Sequence, residues 1–192
     1  MPVNSEFSNF LQGWMNKAMA IPLTDLNSHF DSFFTLFVIY NRLYAEATFI
    51  LGRQEQIDLQ KRKHFPDGQA ATSYLAKFLG AINIINAIEG NDLARNALGQ
   101  VKQLIHSNRF SIKLNLITGD RQRNADLELL SGLESDNCNK KANAILETLY
   151  AVRCNMFHGN KGFNSIQMEI LSHILVILAT LIDIIRQKIE IG

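Results

Sequence analysis

The sequence predicts an all-α, single-domain helical bundle of about six to seven helices spanning residues 1–192. Three observations carry that expectation. Apolar residues recur at helical spacing in one segment after another, only three prolines and eleven glycines interrupt the 192 residues, and strict apolar–polar alternation marks one short stretch, 109–117. Apolar side chains make up 47% of the chain and charged ones 19%, a balance that excludes intrinsic disorder. The net charge of +1 excludes a polybasic binder, so any contact with nucleic acid must come from a local site. No internal repeat, low-complexity segment or long linker divides the chain.

The elements follow in order. Over 5–20, Phe7, Phe10, Leu11, Trp14 and Met19 fall at helical spacing, with Ser5 a candidate N-cap, and Pro22 then breaks the chain. Thr24-Asp25 opens a long second helix, expected to run to Leu51 and to stop at Gly52. A polar stretch with Lys61-Arg62-Lys63-His64 and the turn signal Pro66-Asp67-Gly68 comes next. A third helix is expected over 70–87, with Leu75, Phe78, Leu79, Ile82 and Ile85 on one face, and a weaker fourth over 89–107. Residues 109–117 alternate like a strand but have no evident partner, which points to an extended linker. A short helix over 125–133 follows Gly119-Asp120. Asp136 or Asn137 can cap the sixth helix, where Ile145, Leu149, Val152 and Met156 form a core stripe. It ends at His158-Gly159-Asn160-Lys161-Gly162, and Ser165 starts a last helix reaching about residue 189.

Two cysteines, Cys138 and Cys154, build neither a disulfide framework nor a zinc site, and the N-terminus lacks the basic and apolar regions of a signal peptide. A reduced, cytoplasmic protein is expected. The charge-free run from Ile170 to Ile182 falls short of the roughly 20 residues that span a bilayer, so it reads as a buried core helix without membrane contact.

The chain has no Walker A loop, no dinucleotide fingerprint, no EF-hand, no His-Glu-x-x-His and no Cys-x-x-Cys. No histidine has another His or Cys at i+3 or i+4, so neither a metal nor another cofactor is expected. The positive signal lies at the end of the sixth helix. Arg153 sits at the edge of the apolar stripe, about 40° round from Leu149, where a guanidinium needs an anionic partner. Its planar fork suits phosphate. His158 follows at the helix C-terminus, where unpaired carbonyls favour an imidazolium. Such a pair can move protons at a phosphodiester while the Arg holds the charge, and Asn155 is placed to orient the ring. The two residues are about 140° apart on an ideal helix, so they converge only through an unwound last turn or a second copy of the helix. A bland reading stands beside this one: Arg153 paired with a carboxylate, His158 as a C-cap. Tyr150 is a candidate to stack on a base, or a core aromatic with its hydroxyl at the rim. Lys161 could contact phosphate or be an exposed loop lysine. The same choice applies to Lys61-Arg62-Lys63-His64. His173 reads as a hydrogen-bonded core or interface histidine.

The segment has the Arg-x4-His form of the Arg-x4–6-His motif of HEPN (higher eukaryotes and prokaryotes nucleotide-binding) domains. The run from Ala144 to Lys161, with Tyr-x-Val-Arg-Cys-Asn-x-Phe-His-Gly, resembles a bacterial branch of that superfamily. Tyr40-Asn41-Arg42-Leu43-Tyr44 resembles the aromatic-Asn-x-x-Tyr segment of an earlier helix in such proteins. The resemblance is specific over about twenty residues near the C-terminus. It implies an α-helical bundle that homodimerises with the motif helices lining a shared cleft, and metal-independent endoribonuclease activity of toxin or defence type. His158 would then be the acid or base, and Arg153 would hold the scissile phosphate. Where the family's polar residue often directly follows the Arg, this chain has Cys154, and its amide comes one later at Asn155. Some members bind RNA or nucleotides without cutting, or dock partners such as a nucleotidyltransferase antitoxin. A homodimer is also expected because the last helix is apolar over more of its circumference than one core face requires.

Overall fold

Capping chemistry and apolar stripes settle where the helices begin and what they bury. In the computed structural model, which describes residues 5–59, 63–115, 117–157 and 165–191, the chain is an all-α bundle with no strand among those residues. Helix α1 covers Ser5–Met19 and lays Phe7 and Leu11 on α2, Leu26–Arg53. Asp25 caps α2 through a reciprocal box: its carboxylate accepts from the Ser28 amide at 2.8 Å, and the Ser28 hydroxyl accepts from the Asp25 amide at 3.0 Å. His29 then ties α2 to the last helix, its Nδ1 2.6 Å from the Asp25 carbonyl and its Nε2 3.0 Å from the Ser172 hydroxyl.

Gly52 does not stop α2. The helix runs through it to Arg53, and Glu55 takes the left-handed conformation, at φ 57°. Gly52 instead permits a close approach, since a Cβ there would lie 2.7 Å from Leu59 Cδ1.

The third helix expected over 70–87 is two segments. The first starts earlier, as α3, Asp67–Gln69, passes through a π-helical turn over Ala70–Tyr74 and continues as α4, Leu75–Leu79. The second is α5, Ala81–Glu89. Gly80 separates them at φ +85°, a conformation that suits a residue without Cβ. The Leu79 carbonyl exposed by the break accepts from Asn83 Nδ2 at 2.8 Å and from Lys188 Nζ at 3.2 Å. Gly80→Ala should therefore cost about 1–2 kcal/mol of stability; a chemical-denaturation midpoint matching wild type would contradict this.

Asn91 caps α6, Asp92–His106. The stretch after it is extended, as expected, and makes a single bridge from Leu114 to Arg121. Helix α7 is Arg123–Leu133. Asn137 supplies the cap of α8, Cys138–Phe157, its Oδ1 accepting from the Lys140 amide at 3.1 Å.

The last helix, α9, is Ser165–Ile191. By length and composition it could cross a membrane, with a mean hydropathy of 2.1 over its most apolar 18 residues. In this fold it is the axis of the bundle, packing along α2 and α6 and also touching α5 and α4. Ile170, Ile174, Ile177, Leu178, Leu181 and Ile185 are all buried there. Most of its apolar side chains are thus buried within the chain.

Candidate functional site

Helix α8 carries two faces and a boundary between them. Leu149 and Val152 point into the core, and α8 packs on α5, α7 and the π turn. On an ideal helix, Asn143, Glu147 and Tyr150 lie on the side opposite the core stripe, and Arg153 falls between the two faces. A long polar side chain at that boundary keeps its stem in apolar surroundings and brings its head to a polar edge.

The anion that Arg153 requires is Asp67, the first residue of α3. Nη2 of Arg153 lies 3.8 Å from Asp67 Oδ2. Two phenols hold the same carboxylate: Tyr44 of α2 donates to Oδ1, and Tyr150 of α8 donates to Oδ2 at 3.1 Å. The guanidinium also stands 5.7 Å from the Tyr150 ring centre and 6.0 Å from that of Phe37, within cation–π range. Asp67 thus joins three elements, and both of its oxygens have phenol donors independent of the arginine. Tyr40, one turn before Tyr44, donates to the Ala71 carbonyl at 3.0 Å, fixing the π turn that follows Asp67. Turns of this kind are frequent at functional sites.

The charges respond to this packing. Burial, reinforced by Asp67, raises the Tyr44 and Tyr150 hydroxyls above the ordinary tyrosine range, so both stay donors at neutral pH. Burial works against the charge of Arg153. The Cys154 sulfur, 3.9 Å from Nη1, and the Asp67 carboxylate outweigh it, and the guanidinium is held more firmly protonated than usual.

No family model, curated protein or solved structure matches the chain. The site therefore stands on its geometry.

The residues singled out in the sequence fall into separate places. Arg153 and Tyr150 belong to one cluster, as neighbours three residues apart on α8. Tyr150 is half-buried with its hydroxyl engaged, which joins the two readings of it: its ring borders a cleft and its oxygen anchors the carboxylate. Asn155 lies elsewhere. It is 3% exposed, and its Nδ2 donates at 2.7 Å to the Ile112 carbonyl of the extended segment. At two residues from Arg153 it faces about 160° away on the helix, so it braces the linker and does not join the arginine. His158 and Lys161 lie outside the described residues, as do Lys61 and Arg62. His173 is partly buried on α9, and burial pushes its pKa below the usual histidine value, with Glu169 opposing. No group of three or more metal-ligating side chains occurs among the described residues.

Asp67 is the residue that sequence reasoning missed. Its partners lie far along the chain, and Pro66-Asp67-Gly68 reads locally as a turn. Tyr40 and Tyr44 were visible as an aromatic pair, but their hydroxyl partners were not.

Beside the cluster, Gly68 and Thr72 of the α3–π segment, Lys113 of the extended segment, and Asn143, Glu147 and Tyr150 of α8 border a cleft of about 310 Å³. Lys113 and Glu147, both on its wall, form an ion pair.

Proposed function

We propose that this chain is a HEPN-like, metal-independent endoribonuclease of toxin or defence type. The observation that carries the reading is the held guanidinium of Arg153, near the end of α8 and five positions before His158 in the sequence. Its charge is secured, and its carboxylate partner is anchored by two phenols. A phosphate arriving there meets a charged planar fork beside an aromatic ring.

The chemistry needs no metal. The ribose 2′-hydroxyl attacks the adjacent phosphorus, its proton passes to a base, and the 5′-oxygen leaves with a proton from an acid. The products are a 2′,3′-cyclic phosphate and a 5′-hydroxyl. Arg153 would hold the charge that builds on the phosphoryl oxygens, and His158 would carry the proton. Two copies of the chain would supply two such pairs to one cleft, which would overcome the angle between Arg153 and His158. A nucleotidyltransferase-type partner would fit a toxin of this kind, as would a cytoplasmic location.

One observation favours a second reading, a non-catalytic RNA- or nucleotide-binding module. Asp67 already neutralises Arg153, and Cys154 occupies the position after the arginine. Cleavage of a mixed RNA in EDTA by wild type and by His158→Ala, both verified as folded, separates the two. Cutting by wild type alone, with cyclic-phosphate ends, supports the ribonuclease. Activity lost to EDTA, or kept by His158→Ala, overturns it. Salt-dependent RNA binding that weakens in Arg153→Ala, with no cutting, supports the binding module.

A further inference from the structure

We infer that the cleft beside Tyr150 is a nucleobase subsite that prefers guanine. The inference rests on the reading of Arg153 as a phosphate-holding group, and it concerns the part of the nucleotide next to that phosphate. At about 310 Å³ the cleft is at the small end of ligand pockets, which run from about 300 to 1,000 Å³. It is also contiguous with the arginine, because Tyr150 borders the cleft and lies under the guanidinium.

Tyr150 is a fixed surface. Its hydroxyl is tied to Asp67 at 3.1 Å, and a Cβ on Gly68 would sit at ordinary contact distance from its Cε1, 3.4 Å. A ring anchored through its hydroxyl can stack on a base without losing much freedom on binding.

The polar groups on the cleft wall are mostly acceptors. Asn143 gives one Nδ2 hydrogen to the Asn139 carbonyl, at 2.8 Å, and keeps a second N–H to donate and its Oδ1 to accept. Thr72 spends its hydroxyl proton on the Gly68 carbonyl, at 2.6 Å. Glu147 gives one oxygen to Lys113 and retains the other, and its side chain is 50% exposed. Lys113 supplies the ammonium. This arrangement, a carboxylate oxygen with a lysine alongside, complements an edge with donors next to an acceptor. Guanine presents N1–H and N2–H₂ beside O6. Adenine and cytosine each offer one amino group there, and uracil one imino group, so guanine makes the most of the acceptors.

Nucleosides without phosphate isolate the cleft from Arg153. Guanosine, adenosine, cytidine and uridine are titrated into the ¹⁵N-labelled full chain, and 5′-GMP is titrated in parallel. The expected result is that guanosine binds about tenfold more tightly than the others and shifts amides around Asn143, Glu147 and Tyr150. Glu147→Gln, a change at a half-exposed position, removes the preference. Asn143→Ala weakens guanosine as a second check. Arg153→Ala leaves guanosine unchanged and weakens GMP to the same level. Four equal affinities, shifts elsewhere on the molecule, or indifference to Glu147→Gln would overturn the subsite. GMP binding no more tightly than guanosine would instead overturn the phosphate role of Arg153, leaving the subsite intact.

Discussion

Arg153→Ala is expected to slow metal-free RNA cleavage by about 100- to 1,000-fold, the usual effect of deleting one group aimed at charge developing in the transition state. The loss should fall on the chemical step, and the fold should survive it. Asp67 keeps a phenol donor on each oxygen when the guanidinium is gone, so the substitution does not strand a bare carboxylate. Arg153→Lys tests the geometry as distinct from the charge. Lysine restores a positive point but not the planar fork, so it should recover only part of the rate. Single-turnover cleavage in EDTA, alongside unfolding curves for both variants, measures the two effects separately. Wild-type rates in Arg153→Ala would remove the arginine from the mechanism.

The largest expected stability effect lies in the brace beneath the cleft. Asp126 of α7 is fully buried, and its Oδ1 accepts from the Ile112 amide at 2.9 Å and the Lys113 amide at 2.7 Å. From the other side, Asn155 of α8 donates to the carbonyl of the same Ile112. Where the segment has no sheet to join, the Ile112 amide and carbonyl and the Lys113 amide are thus satisfied by two side chains. Asp126→Ala leaves the buried Ile112 amide and the part-buried Lys113 amide without acceptors and should cost about 3 kcal/mol, each orphaned group contributing roughly 1–3 kcal/mol. Asp126→Asn retains an acceptor oxygen and should cost clearly less. Urea unfolding with both variants provides the measurement, and a loss below about 1 kcal/mol for the alanine would show that water or a local shift takes over. Lys113 borders the cleft, so guanosine affinity should fall along with stability.

The sequence exposed some of this architecture and hid the rest for physical reasons. Helix starts were legible where a short polar side chain reaches its own backbone, as at Asp25 and Asn137, because capping is local. The alternation of Phe110, Ile112 and Leu114 correctly indicated an extended segment, and all three are buried. Gly80 was not legible as a break, since an isolated glycine within a helical pattern is tolerated as often as it interrupts. Within the site, Arg153 announced itself as a charge on the edge of an apolar stripe. Its partner did not, because the pairing of Asp67 with Tyr44, Tyr150 and Arg153 joins three helices and leaves no trace in spacing along the chain. Asn155 was read from its spacing to His158; its bond to the Ile112 carbonyl joins it to a segment more than forty residues away, which spacing along the helix does not reveal. The breadth of the apolar surface on α9 was read correctly as excess for one face, but what covers most of it is this chain's own α2, α6 and α5.

That position of α9 bears on how the protein is made. Helical bundles generally fold fast because neighbours in sequence are neighbours in space. Here the most extensive interface joins α2 to α9, and most of the chain lies between them. During synthesis, at about 5–20 residues per second, the aromatic face of α2 must wait for its main cover to be translated. Closing so long a loop also carries an entropic cost that local contacts do not. The nascent chain therefore passes through a period in which the face of α2 that packs on α9 lacks its final cover, while the Arg153 cluster, drawn from α2, α3 and α8, already has all its members.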